Sequence, residues 1–205
     1  MFIVSFPRSG QHLLERILRG CYAKAGVPYS YCEHYGASKH RYDPKLSHSL
    51  ECHGCRKIPC ENGCLFQKNH DLWLKRKKGR VLNQNDGDKY LVLYRANPVK
   101  QMEAYFRYEC DVPEVTQENY EKFQKFFSNN ITYYRRFIDK WVCNKPNIHV
   151  IEYYNLLYNT NDVACCALEF LGVPTRGVAE AVAETPIIRR SFSEKYFNWL
   201  KDIET

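Results

Sequence analysis

At 205 residues, with 44% apolar and 15% aromatic residues, the chain is too hydrophobic to be disordered throughout and short enough for one domain around one core. Its 30 Lys+Arg against 23 Asp+Glu leave a formal charge of +7, which favours a polyanionic ligand: nucleotide, sulfated sugar, nucleic acid or acidic lipid. Met1 leads straight into Phe2-Ile3-Val4 and a polar turn, and no apolar run approaches the roughly 20 residues that cross a bilayer, so the sequence predicts a soluble, cytoplasmic protein without a secretory leader or transmembrane segment.

Phe2 to Phe6 reads as a short buried strand and Pro7-Arg8-Ser9-Gly10 as a turn. Gln11 to Ala25 carries Leu13, Leu14, Ile17, Leu18, Cys21 and Tyr22 on one helical face, with Gly26 as its stop. Residues 27–64 lack periodicity and are rich in Tyr, His, Cys and Gly, an irregular insertion too long for an idle loop. Leu65 to Lys68 predicts a brief second strand, Lys75-Arg76-Lys77-Lys78 is a basic run, and Asn83 to Asp88 is a polar turn. Tyr90 to Tyr94 is a strong strand, followed after Arg95 by a helix from Pro98 to Tyr108. A long helix within Gln117 to Val142 has Tyr120, Phe123, Phe127, Tyr134, Phe137, Ile138 and Trp141 as its stripe. Ile148 to Tyr153 predicts a strand and Asp162 to Leu171 a helix; the tail from Thr185 is mixed, with Arg189-Arg190 as its basic pair. The alternation predicts an α/β fold with a mainly parallel central sheet flanked by helices, residues 1–205 forming one domain that carries the 27–64 insertion.

Four of the ten cysteines fall in Cys52-x2-Cys55-x4-Cys60-x3-Cys64. Thiolates at this spacing can close around a structural zinc, with His53 or the Cys32-x-His34 pair as substitutes; two disulfides or free thiols are the alternatives. Cys21, Cys143, Cys165 and Cys166 fall on predicted helices or at their ends and read as buried apolar residues.

A strand feeding a short loop into a helix aims backbone N–H groups and the helix dipole at one point, a geometry that binds phosphate. The loop is not a Walker A sequence, because Gly10 is followed by Gln11-His12 and not by Lys-Ser/Thr. Ser5-Phe6-Pro7-Arg8-Ser9-Gly10 does resemble the 5′-phosphosulfate loop of PAPS-dependent sulfotransferases. Lys68-Asn69-His70 is similar to that family's Lys-Thr-His step, and Tyr90 to Tyr94 with Arg95 and Asn97-Pro98 is similar to its 3′-phosphate strand and helix. Tyr153-Tyr154-Asn155-Leu156 and Phe170-Leu171-Gly172 match its late elements in outline.

The resemblance implies a P-loop-like fold, PAPS as co-substrate and PAP as product. It implies a nucleotide site of Pro7, Arg8, Ser9, Gly10, Gln11 and His12 on the 5′ side, with Arg95, Arg189 and Arg190 on the 3′ side. Sulfuryl transfer needs a base for the acceptor proton and positive charge on the sulfuryl and bridging oxygens. His70 is then the base, Lys68 the sulfuryl contact and Arg8 the stabiliser of the leaving phosphate, with His12 as second candidate base. Asp71 is expected either to orient His70 or to be solvated. Gln11-His12 departs from the family's hydroxyl pair, and its helix serine falls here at Glu103 or Ala104, of which Ala104 suits a phosphate better. The basic run fits an acidic acceptor such as a glycan, a small alcohol being the other class. Rival readings are a P-loop-type phosphotransferase, which lacks its lysine here, and a nucleotide- or nucleic-acid-binding module with a zinc knuckle.

Overall fold

A computed structural model describes residues 1–32, 58–76 and 82–187. Five strands form one parallel sheet in the order β2-β3-β1-β4-β5: β1 (Phe2–Ser5), β2 (Tyr31–Cys32), β3 (Phe66–Asn69), β4 (Tyr90–Tyr94) and β5 (Ile148–Glu152). Around it run α1 (Gln11–Ala25), α2 (Trp73–Arg76), α3 (Pro98–Glu109), α4 (Tyr120–Trp141), α5 (Tyr153–Tyr158), α6 (Thr160–Leu171) and α7 (Val178–Glu184). This is the expected α/β class.

Side-chain alternation along β1 divides the core. Ile3 joins Leu14, Ile17, Leu18 and Tyr22 of α1 and the apolar face of α6 and α7. Phe2 and Val4 join Tyr90, Val92, Phe106, Phe123, Phe137 and Trp141 on the other face, under α3 and α4. Both faces are covered, so all four residues of β1 are buried and the strand reads as a continuous apolar run.

Several elements differ from expectation, among them the short helices α2 and α7, which carry no predicted pattern. Tyr31–Cys32 is a strand inside the supposed irregular insertion, too short to show a period. The helical pattern after Thr116 opens with a 3₁₀ turn, Gln117–Asn119, before α4. The chain also turns helical at Tyr153, because the Glu152 carboxylate accepts from the N–H groups of Tyr154 (2.6 Å) and Asn155 (3.1 Å).

The order of strands positions the site. From β3, on one side of β1, the chain crosses to β4 on the other side. The loops after β1, β3 and β4 therefore diverge at the carboxyl ends of their strands, where open α/β sheets form ligand crevices.

Asp71, at the turn after β3, neither orients His70 nor faces water. Its buried Oδ2 accepts from Lys140 Nζ at 2.6 Å and Trp141 Nε1 at 2.9 Å, tying the turn to the end of α4. Removing one partner of a buried pair strands the other. Asp71→Ala should cost about 3 kcal/mol of stability in a urea titration; a loss under about 1 kcal/mol, the worth of an exposed pair, contradicts this assignment.

Candidate functional site

The first loop is held by its own polar side chains. Ser5 Oγ donates to Gln11 Oε1 (2.6 Å), and Gln11 Nε2 donates to the Ile3 carbonyl (3.1 Å). Ser9 Oγ donates to Gln101 Oε1 (2.7 Å), and Gln101 Nε2 closes the circuit on the Pro7 carbonyl (2.6 Å). Ser9, Gln11 and Gln101 are all buried. In this structure the side chains of Ser9 and Gln11, both expected at the nucleotide site, brace the loop. The Ser9 N–H is itself donated to the Phe6 carbonyl (3.2 Å), so what this segment offers an anion is the backbone N–H at the start of α1, from Gln11 onward, where a helix leaves its first donors without partners.

The loop backbone is unusual at two points. Arg8 has φ 69° and Gly10 φ 88°, both in the left-handed region. Gly10 is required for a second reason: a Cβ there would sit 2.5 Å from the Tyr153 ring. The Arg8 carbonyl is clasped by Arg95 through Nε (3.3 Å) and Nη2 (3.1 Å), while the exposed Arg8 guanidinium lies 4.7 Å from the Tyr108 ring centre.

Around the mouth of this loop the structure gathers the basic residues expected from sequence. Lys68 is buried on β3, and its Nζ reaches 3.3 Å from Nε2 of the exposed His12. His70, just beyond β3, has Nδ1 2.8 Å from the Ser5 carbonyl and 3.0 Å from Ser5 Oγ. A carbonyl only accepts, so Nδ1 carries the proton and the lone pair is on Nε2. Burial, and then the charge of Lys68 with smaller contributions from His12 and Arg8, push His70 down to about 3. The ring is therefore neutral at pH 7.

On the far side of the loop, Arg95 is buried and stacks on Tyr153, 3.9 Å from its ring centre; burial works against its charge. It is a brace of the first loop as well as a cation. Glu103 on α3 interacts with Arg107, Arg95 and Lys100, and burial raises its proton affinity. Arg95 thus feels the charge of Glu103.

Arg189, Arg190, Cys52 and Cys55 lie outside the described residues. Cys60 and Cys64 pack against Cys32, and among the described residues no group of three or more His, Cys, Asp or Glu could hold a metal ion. Cys21 is buried as expected, Cys143 and Cys165 are half-buried, and Cys166 is exposed, against expectation. Sequence reasoning missed Gln101 and Tyr133, which touch the site from α3 and α4; a buried Gln or Tyr within an apolar stripe is the trace each leaves. Among the described residues, no helix is long and apolar enough to cross a membrane.

No protein-family model matches this chain, and no curated protein matches it. Solved structures do. A mouse sulfotransferase in complex with PAP aligns with TM-score 0.54 at 15% identity, over 91% of this chain and 63% of the mouse chain. A sulfotransferase from Alicyclobacillus acidocaldarius aligns with TM-score 0.54 at 14% identity, over 98% of this chain and 89% of the bacterial one. This chain spans under two thirds of the mouse enzyme. Likeness at these identities establishes a sulfotransferase-like fold.

Proposed function

We propose that this chain is a sulfotransferase that carries a sulfuryl group from PAPS to an acceptor hydroxyl or amine. The observation that carries the reading is the convergence of Lys68, His70, His12 and Arg8 at the carboxyl ends of β1 and β3, beside the N-terminus of α1. Fold likeness to two sulfotransferases supports it.

In this reading the nucleotide's 5′-phosphate sits on the N–H groups that open α1, with Arg8 swung onto the bridging oxygen. The acceptor oxygen or nitrogen attacks sulfur in line. Its bond to sulfur forms as the bond from sulfur to the bridging phosphate oxygen breaks, and that electron pair leaves on PAP. The acceptor proton passes to His70 Nε2, the nitrogen left with its lone pair by the Ser5 carbonyl. Lys68 neutralises the sulfuryl oxygens, which gain charge as the bonds exchange.

The free protein's His70 is a poor base because it is buried and, in addition, because Lys68, His12 and Arg8 surround it. A phosphosulfate anion among these cations offsets them. PAP should therefore raise the His70 midpoint, an effect read from its imidazole proton resonances with and without PAP; an unmoved midpoint counts against this site. The folded midpoint lies below the usual 6.5, so His70 also contributes stability that is present above about pH 6.5 and lost as pH falls toward 3.

Glu103 has an expected consequence on the 3′ side. Its carboxylate opposes a phosphate near Arg95, so Glu103→Gln should tighten PAP about tenfold and leave AMP little changed. Calorimetry with both nucleotides checks this. The activity itself is tested by sulfur-labelled PAPS offered with sugars, phenols, small alcohols and amines. Label on an acceptor, lost in His70→Ala, supports the proposal; no label on any acceptor removes it, and equal transfer by wild type and His70→Ala removes His70 as the base.

A further inference from the structure

Two adjacent residues of α4 touch the site from behind. Tyr133 is buried and donates its hydroxyl to the backbone carbonyl of His70 at 2.5 Å. Tyr134, also buried, donates to the carbonyls of Arg95 (2.6 Å) and Ala96 (3.1 Å). Between them stands Phe6, the residue that leads β1 into the first loop, with ring centres 4.6 Å from Tyr133 and 5.4 Å from Tyr134.

The sheet order explains how neighbours on one helix reach two different strands. β3 and β4 flank β1, so a helix crossing the end of β1 has one strand end on each side. Successive side chains on a helix fan apart by about 100°. One hydroxyl thus falls on the β3 end and the next on the β4 end, with the β1 residue Phe6 packed in the fork.

These hydroxyls are a costly way to fill an apolar cluster. Phe6, Tyr105, Tyr133, Tyr134 and Phe137 pack edge-to-face or tilted, a geometry phenylalanine would serve as well. A buried phenol needs an acceptor, and both find theirs on the residues that begin the site's loops. The His70 carbonyl belongs to the residue whose Nδ1 is fixed by Ser5. The Arg95 carbonyl belongs to the residue whose guanidinium clasps Arg8 and so shapes the anion loop.

We propose that Tyr133 and Tyr134 are positioning residues for separate halves of the site. Tyr133 acts through His70 on proton transfer, and Tyr134 acts through Arg95 on nucleotide binding. The inference rests on the reading of His70 as base and Arg95 as part of the nucleotide site.

Tyr133→Phe and Tyr134→Phe each delete one oxygen and keep the ring. Tyr133→Phe should lower PAPS turnover about tenfold to a hundredfold, shift the His70 imidazole titration, and leave PAP affinity within about twofold. Tyr134→Phe should weaken PAP about tenfold and leave the His70 titration where it is in wild type. Phe137→Leu perturbs the same cluster without a hydroxyl, and should lower the melting temperature while leaving the two readouts unsplit. The proposal is overturned if both tyrosine variants move turnover and affinity in the same proportion, if they change only the melting temperature, or if Phe137→Leu reproduces the split. Failure of the wild type to bind PAP sinks the nucleotide reading instead, and the His70 resonance in Tyr133→Phe still decides whether Tyr133 acts through His70.

Discussion

His70→Ala is expected to cut sulfuryl transfer about 10²- to 10⁴-fold while PAP affinity stays within about twofold. The imidazole is tethered at Nδ1 by the Ser5 carbonyl, so Nε2 is the atom it can offer, and in the proposed reaction that atom serves the acceptor and not the nucleotide. Neighbouring variants should fail differently. Lys68→Ala should slow turnover and weaken PAPS more than PAP, because only PAPS carries the sulfuryl group. Arg8→Ala should weaken both nucleotides, whose 5′-phosphate is common. A general loss of stability cannot imitate three distinct patterns, and melting temperatures separate it out, which matters most for Lys68 because it is buried. Near-normal turnover in His70→Ala with an inactive His12→Ala would move the base to the first loop.

Gly10→Ala is expected to weaken PAP by about a hundredfold or more. A methyl group there collides with Tyr153 at 2.5 Å, a ring that Arg95 stacks on. It also meets the left-handed penalty, about 1–2 kcal/mol, at φ 88°. Relief requires shifting either the start of α1 or Tyr153, and both border the first loop. Gly26→Ala is the control: φ is 68°, but nothing lies within 4 Å of the added carbon. It should lose about 1 kcal/mol of stability and keep its nucleotide affinity. Equal effects of the two substitutions on PAP would show that backbone strain, and not the Tyr153 contact, governs the loop.

The parts of the fold legible in the sequence are those with an uninterrupted pattern. Phe2-Ile3-Val4 with Tyr90 to Tyr94 reads as buried parallel strand, and the stripe from Leu13 to Tyr22 ending at Gly26 reads as α1 with its left-handed cap. Tyr31–Cys32 was hidden because two residues carry no period, and their strand character comes only from pairing with Phe66 and Gln67. α7 was hidden because its helical face is small: Ala181 meets Gly20 of α1 so closely that a Cβ at Gly20 would lie 3.2 Å from Ala181 Cβ.

At the site, residue type could not reveal direction. Gln11 and Ser9 have the chemistry to meet phosphate, but Ser5 and Gln101, six and 92 positions away, turn them inward. Arg95 was legible as a cation and not as a brace, because its partner is a carbonyl 87 residues earlier. Asp71 beside His70 suggested an orienting carboxylate, and only the fold brings Lys140 and Trp141 to claim it. Lys68 and His70 carry a signal within one segment of sequence. Their alternate spacing at a strand end is the pattern of one face, and in the fold the charge of Lys68 is felt at His70.

Calorimetric titration of the intact protein with PAP and with ATP decides whether the proposed nucleotide site is built for a 3′-phosphorylated adenosine. PAP should bind more tightly than ATP, and Arg8→Ala should weaken PAP, because the first loop lacks the lysine that grips a triphosphate in a Walker A sequence. Binding of ATP as tight as or tighter than PAP would contradict it.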